Sequence, residues 1–301
     1  MGHIRTEHFY KSSAGRLKNY IISEFGSYLL IALSPRIIQN WILSLNSNKR
    51  IPLSDNTKNK ILQTFSYIMQ EAKLQEIIEN NPLDDVGKIT ERNQTREIFT
   101  TEEIIKLFPV DESELLRIWL SWEWISFFMI ELTCGLRPGE VAALKWEDYR
   151  PGLGFIIHRS YDYDTKGTKD KIKTDKKGMK GKPAVLIIIA EKYLLKHRGD
   201  RHPPKFELVY YNTTNGVIIP ETSNKHFKGA LKRAKIERNN RTQYSLRHTY
   251  DTHALVELDF DTVNRLMGHT SYRPEYDHRE ADRMLPKLAH VRKVIEGMFT
   301  A

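Results

Sequence analysis

From Gly15 to about Asn80 the apolar residues recur at intervals of three and four, the period of helices that each bury one face. Tyr20, Ile21, Phe25, Tyr28 and Leu29 make the first stripe. Ser34-Pro35 reads as an N-cap and a first-turn proline opening a helix over RIIQNWILSL. Ser54 caps a third helix, with Ile61, Phe65, Ile68 and Ala72 on its inner face. Asn81-Pro82-Leu83 ends this pattern, and 84–98 is polar and turn-rich, as a linker is. A capping box at Thr100 and Glu103 then restarts helix. The next predicted helix, Ser113 to Leu132, is apolar nearly all round through Trp119, Trp122, Trp124, Phe127 and Phe128. That makes it the central buried helix of a second domain rather than a base-stacking platform.

Residues 153–190 change period. GFIIHRSYDYD and PAVLIIIA are rich in β-branched residues and predict a hairpin with a long basic connection. That connection, 166–182, holds eight lysines and two aspartates, and its expected state is a solvated loop. Thr222 or Ser223 is the expected cap of a helix with Phe227, Leu231 and Ala234 inward and Lys225, Lys228, Lys232 and Lys235 outward. Leu255, Val256, Val263 and Leu266 supply apolar anchors at helical spacing, and Leu285, Leu288, Ile295 and Phe299 mark a short amphipathic helix at the end. The class predicted is α+β, mainly α with a small β-sheet. Its divisions are a frayed 1–13, a helical domain 14–83, a linker 84–98 and a mixed domain 99–301 with a helical tail.

A net charge of +9 over 301 residues points to a polyanionic partner. The charge is uneven: nine Lys/Arg against three Asp/Glu in 1–60, but five against twelve in 61–115. A nucleic acid is therefore expected on the early helices. The single cysteine, Cys134, excludes an internal disulfide and reads as a small core residue. No apolar stretch has membrane-spanning length, and MGHIRTEHFYKSS has no export core, so a cytoplasmic, nucleoid-associated protein is expected. His248 and His253 lack a third ligand in register, so no metal site is expected.

Two stretches carry chemistry. In TCGLRPGEVAALKW, a tight glycine turn places Arg137 at a new helix start, where backbone N–H groups favour an anion. In the second, 242–278, Tyr244, Arg247 and His248 precede Gly268-His269 and then Tyr272 and Tyr276. Two guanidiniums neutralise a phosphodiester without metal, and a phenol oxygen can attack it. TCGLRPGEVAALKWEDY, followed by SLRHTY and LMGHTS, resembles the tyrosine recombinase (phage integrase) family. NPL, a polar linker and FTTEEIIKLFP likewise resemble that family's junction between core-binding and catalytic domains.

The resemblance implies Arg137 and Arg247 as the phosphate-binding arginines and His269 as the residue of the third box. It implies Lys173, with Lys177 as the alternative, as the hairpin lysine that protonates the leaving oxygen. Tyr276, in Tyr276-Asp277-His278, is the implied nucleophile, with Tyr272 the alternative at a spacing shorter than usual. Tyr244 stands where the family usually has histidine and cannot carry positive charge at neutral pH. Glu140 is expected to orient its region, and His248 to be structural. The implied reaction passes through a 3′-phosphotyrosine with no cofactor, metal or ATP, on double-stranded DNA, by a homotetramer bridging two sites. A separate arm-site-binding domain is not expected. Tyr244 and the short spacing leave open a catalytically impaired DNA-binding relative. A basic RNA-binding protein would explain the charge but not the arginine, histidine and tyrosine set.

Overall fold

The computed structural model describes residues 7–45, 53–91, 97–172, 181–200, 207–214, 216–268 and 284–297. The chain divides into two units, Met1–Thr95 and Arg96–Ala301.

In the first unit, α1 (Glu7–Arg16) runs through a π-helical turn (Leu17–Ile21) into α2 (Ile22–Phe25). Its first residues fall inside the stretch read as frayed. α3 (Pro35–Ser44) and α4 (Asp55–Leu74) start where the serines predict, because each hydroxyl accepts an otherwise unpaired N–H. Ser34 accepts from Ile37 N at 3.4 Å, and Ser54 from Thr57 N at 3.2 Å. Phe25, Trp41 and Phe65 make an aromatic centre: Phe25 stacks on Phe65 at 5.5 Å and Trp41 meets Phe25 edge-on at 4.9 Å. Ile38, Ile42, Ile61 and Met69 close round it. Two apolar assignments differ. Tyr28 and Leu29 fall beyond the end of α2 and are exposed, and Met69 takes the inner position while Ile68 is half-buried.

The second unit opens with α5 (Thr101–Leu107), whose Thr100/Glu103 capping box is present. The single helix expected from Ser113 to Leu132 is two, α6 (Glu112–Trp119) and α7 (Trp122–Cys134). Leu120 takes φ +73°, which ends α6, and Ser121 caps α7 by accepting from Trp124 N at 3.3 Å. α7 is buried from Trp124 to its end. A five-residue α8 (Pro138–Ala142) follows.

The hairpin exists. β2 (Gly154–Ile157) pairs antiparallel with β5 (Lys182–Val185), β1 (Tyr149–Arg150) flanks β2, and Ile157 faces Lys182. Glycine is needed at 154, where φ is +147° and a Cβ would lie 2.0 Å from the Ala184 carbonyl oxygen. β3 (Ser160–Tyr161), at the end of the first β-branched stretch, pairs antiparallel with β4 (Thr168–Lys169) in the basic connection.

α9 (Ile188–Asp200) and α10 (Pro220–Arg233) come next. Neither Thr222 nor Ser223 caps α10, because Pro220 already begins it. Ser223 is buried and donates to the Pro220 carbonyl at 3.1 Å or to Gln243 Oε1 at 2.9 Å. Lys225, Lys228, Lys232 and Lys235 are exposed and Phe227 and Leu231 buried, as their spacing predicts. α11 (Tyr244–Glu257) carries Tyr244 and Arg247, and α12 (Phe260–Met267) follows it. Val263 and Leu266 anchor α12, but Leu255 and Val256 are exposed near the end of α11 and anchor nothing. α13 (Ala289–Gly297) buries Ile295, with Leu285 and Leu288 buried just before it, while Phe299 lies outside the described residues. The helix-rich unit with small antiparallel sheets is the α+β class predicted.

Candidate functional site

α7 ends because Gly135 turns left-handed at φ +59°. No side chain fits there: a Cβ would stand 2.4 Å from the Tyr250 ring and 2.7 Å from Met267 Sδ. Two residues later Arg137 precedes Pro138, the first residue of α8. Glu140, 2% exposed, folds back onto Arg137: one carboxylate oxygen accepts from its backbone N–H at 3.0 Å, the other from Nη1 at 2.7 Å. The anion at this helix start is thus the chain's own. Glu140 orients Arg137 from both ends, leaving the guanidinium partly open to solvent.

Arg247 comes from α11 and is 1% exposed. Nη1 donates to the Gly135 carbonyl and Nη2 to the Met267 carbonyl, the latter at 2.6 Å. One guanidinium therefore joins the C-terminal ends of α7 and α12, both closed by left-handed glycines. Burial and the nearby Arg137 charge lower its pKa.

The third cation of this cluster was missed. Lys182, counted above among solvated loop lysines, is 1% exposed. Its Nζ lies 2.9 Å from Glu140 Oε2 and 3.3 Å from the Met267 carbonyl oxygen. It is the first residue of β5, and pairing opposite Ile157 carries it into the core. The available signal was its position, last in the lysine run and directly against PAVLIIIA. Burial brings the Lys182 ammonium down to about 8 against the pull of Glu140, and the guanidiniums of Arg247 and Arg137 push the same way as burial. Burial would raise the Glu140 carboxyl, but Lys182 and then Arg137 hold it at about 2. Three cations around one carboxylate leave two positive charges, a receptor for a dianion or a phosphodiester in its transition state.

Glu131, fully buried in α7, was also missed. Burial pushes its pKa well up against a hydrogen bond from Gln243 Nε2 at 2.7 Å. Tyr244, half-buried, begins α11 with its ring edge-on to His248 at 4.9 Å. Lys173, Lys177, His269, Tyr272 and Tyr276 lie outside the described residues. The buried Cys134 thiol donates to the Val185 carbonyl at 3.3 Å, and burial pushes it up to about 12, a core residue's behaviour. Among the described residues no group of three or more His, Cys, Asp or Glu could hold a metal ion, and no helix is long and apolar enough to cross a membrane.

Residues 97–275 match the profile described as the phage integrase family. The ICEBs1 integrase of Bacillus subtilis (strain 168) is 29% identical over 110 residues, a match spanning 36% of this chain and 28% of that protein. The fold is similar to two solved integrases. One is a lambda integrase dimer bound to a COC' core site, at TM-score 0.66 and 16% identity, covering 91% of this chain and 92% of that one. The other is the Tn1549 transposon integrase in complex with a circular intermediate DNA, at TM-score 0.71 and 13% identity, covering 96% and 95%. A profile that takes in the second unit from α5 past α12, on a fold shared with both enzymes, makes this chain a member of the phage integrase family of tyrosine recombinases.

Proposed function

We propose that the protein is a site-specific DNA recombinase that cuts and rejoins strands through a phosphotyrosine intermediate. The observation that carries this is the Arg137–Glu140–Lys182–Arg247 cluster, buried except for the partly open Arg137, with its excess of two positive charges. It is built where the two arginine-bearing segments meet. Burying that much charge costs stability, and an anionic substrate is the compensation.

In this reading Arg137 and Arg247 stabilise the charge developing on the nonbridging phosphate oxygens. The Tyr276 phenol gives its proton to His269 as its oxygen bonds to phosphorus, the bond to the 5′-oxygen breaks, and Lys173 protonates the 5′-oxygen as it leaves. Tyr244 and His269 contact the phosphate or its proton path. The 3′-phosphotyrosine conserves the bond energy, so the freed 5′-hydroxyl of a partner strand reverses the step without ATP. The first unit, with its basic early helices, serves as the core-binding domain on duplex DNA. A lambda integrase tetramer has been solved bound to a Holliday junction, and the same assembly of four on two sites is the expected working form here.

The test is adduct formation on a nicked duplex bearing a site selected by this protein from random sequence, with magnesium chelated. A denaturation-resistant protein–DNA species should form, and Tyr276→Phe should abolish it while Tyr272→Phe does not. Salt-sensitive binding with no adduct under any condition would instead make the chain a binding-only relative.

A further inference from the structure

The Met267 carbonyl oxygen accepts from Arg247 Nη2 at 2.6 Å and lies 3.3 Å from Lys182 Nζ. Each donor is anchored elsewhere, Arg247 on the Gly135 carbonyl and Lys182 on Glu140. Met267 is the last residue of α12, and Gly268 follows it at φ +62°, leading in sequence to His269. We infer that Lys182 is a positioning residue for strand transfer: with Arg247 it clamps the end of α12 to the α7–α8 turn that carries Arg137. The inference rests on the recombinase reading above and extends it to a residue outside the expected set.

A fold needing only a packed side chain here would be served by methionine, since a buried ammonium beside two guanidiniums is repelled by both. What the ammonium adds is a donor to the α12 terminus that also holds the carboxylate aligning Arg137. Any drift of α12 therefore breaks contacts to both α8 and α11. Lys182 is enclosed, with two acceptors at its Nζ, so it serves the reaction through what it holds rather than by donating its own proton.

The experiment compares Lys182→Met, Lys182→Arg, Glu140→Gln and the Glu140→Gln/Lys182→Met pair. Single-turnover adduct formation is measured on nicked duplexes with oxygen or sulfur at the bridging 5′ position. Hydrogen exchange is followed over 258–268. Lys182→Met should slow adduct formation about 10- to 100-fold, the cost of a misplacement on the order of 1 Å, with DNA affinity within about threefold. Sulfur leaves without needing a proton and should not restore the rate. Exchange at the end of α12 should quicken, and Lys182→Arg, which keeps both contacts within reach, should recover most of the loss. A rate within about threefold of the parent in folded Lys182→Met would overturn the inference. So would rescue by sulfur, which would make Lys182 the proton donor. Should Lys182→Met not fold, the charge-balanced pair decides: slower than Glu140→Gln alone supports the clamp, and equal to it refutes it. Should the parent form no adduct on any duplex, the recombinase reading fails, and the exchange rate alone decides whether the α12 clamp exists.

Discussion

The two units bury different things. The first is held by an ordinary apolar interior, Phe25, Trp41 and Phe65 ringed by aliphatics, and its buried polar side chains among the described residues are the neutral Thr64 and Asn81. The second also has a large apolar core, but it encloses Glu131, Glu140, Lys182 and Arg247. Apolar burial contributes stability directly, whereas enclosed charge at best recovers its desolvation cost. The contrast separates an interior that serves folding from one that, in the proposed reading, also serves chemistry.

The sharpest test removes the charge that touches most. Arg247→Ala should cut adduct formation about 1000-fold, roughly 4 kcal/mol in the barrier, the loss seen when a preorganised donor is taken from a transition-state anion. It should also lower the melting temperature, because the Gly135 carbonyl loses the Arg247 donor and the Met267 carbonyl keeps only Lys182. A variant with near-parental rates would remove Arg247 from the chemistry.

The comparison can be broken from the other side. Phe65→Ala empties the first unit's centre and should cost about 3–5 kcal/mol of stability in urea unfolding. Glu140→Gln/Lys182→Met removes two charges from the second and should change stability by less than about 1.5 kcal/mol while still slowing the reaction. If the charge pair proves as costly to remove as Phe65, the two interiors are not different in kind.

pH sharpens the same point. Glu140 sits at about 2 against an ordinary 4.5, so its contribution is fully present above 4.5 and lost as pH falls through 2. That amounts to about 3 kcal/mol. Lys182 runs the other way: at about 8 against 10.5, it favours the fold above 10.5 and loses that contribution as pH falls through 8. Unfolding midpoints measured from pH 2 to 5 should show an acid limb that Glu140→Gln flattens. An unchanged limb would mean that other carboxylates govern acid unfolding.

How much of this was legible follows the range of each interaction. Ser34, Ser54 and the Thr100 capping box mark helix starts because a cap is decided within four residues. Arg137, Tyr244 and Arg247 stood out because their motifs are contiguous. The break at Leu120 was hidden, since a leucine at φ +73° in an apolar run leaves no local mark. Lys182 was hidden for a deeper reason. Composition puts eight lysines of 166–182 in water, and only pairing with β2 turns the last one inward onto a carboxylate 42 positions earlier in the chain. Buried charge partners are long-range facts, and Gln243 on Glu131, 112 residues apart, is another.

The smallest expected effect concerns Tyr244, at the position where the family resemblance leads one to expect histidine. Its ring packs edge-on to His248 one turn along α11, so an imidazole replaces the phenol without emptying core space. At a helix start the dipole disfavours an imidazolium, so Tyr244→His should be largely neutral at pH 8 and gain charge only toward pH 6. One hydrogen bond to a phosphate oxygen is worth about 1 kcal/mol net, so the rate should rise no more than about fivefold, and more at pH 6 than at pH 8. Adduct rates at the two pH values check this against Tyr244→Phe, which should fall by a similar factor. A gain on the order of 100-fold would mean that the phenol is the principal deficit of this site and the parent protein the impaired relative; the small gain expected means that the buried cluster carries the main burden.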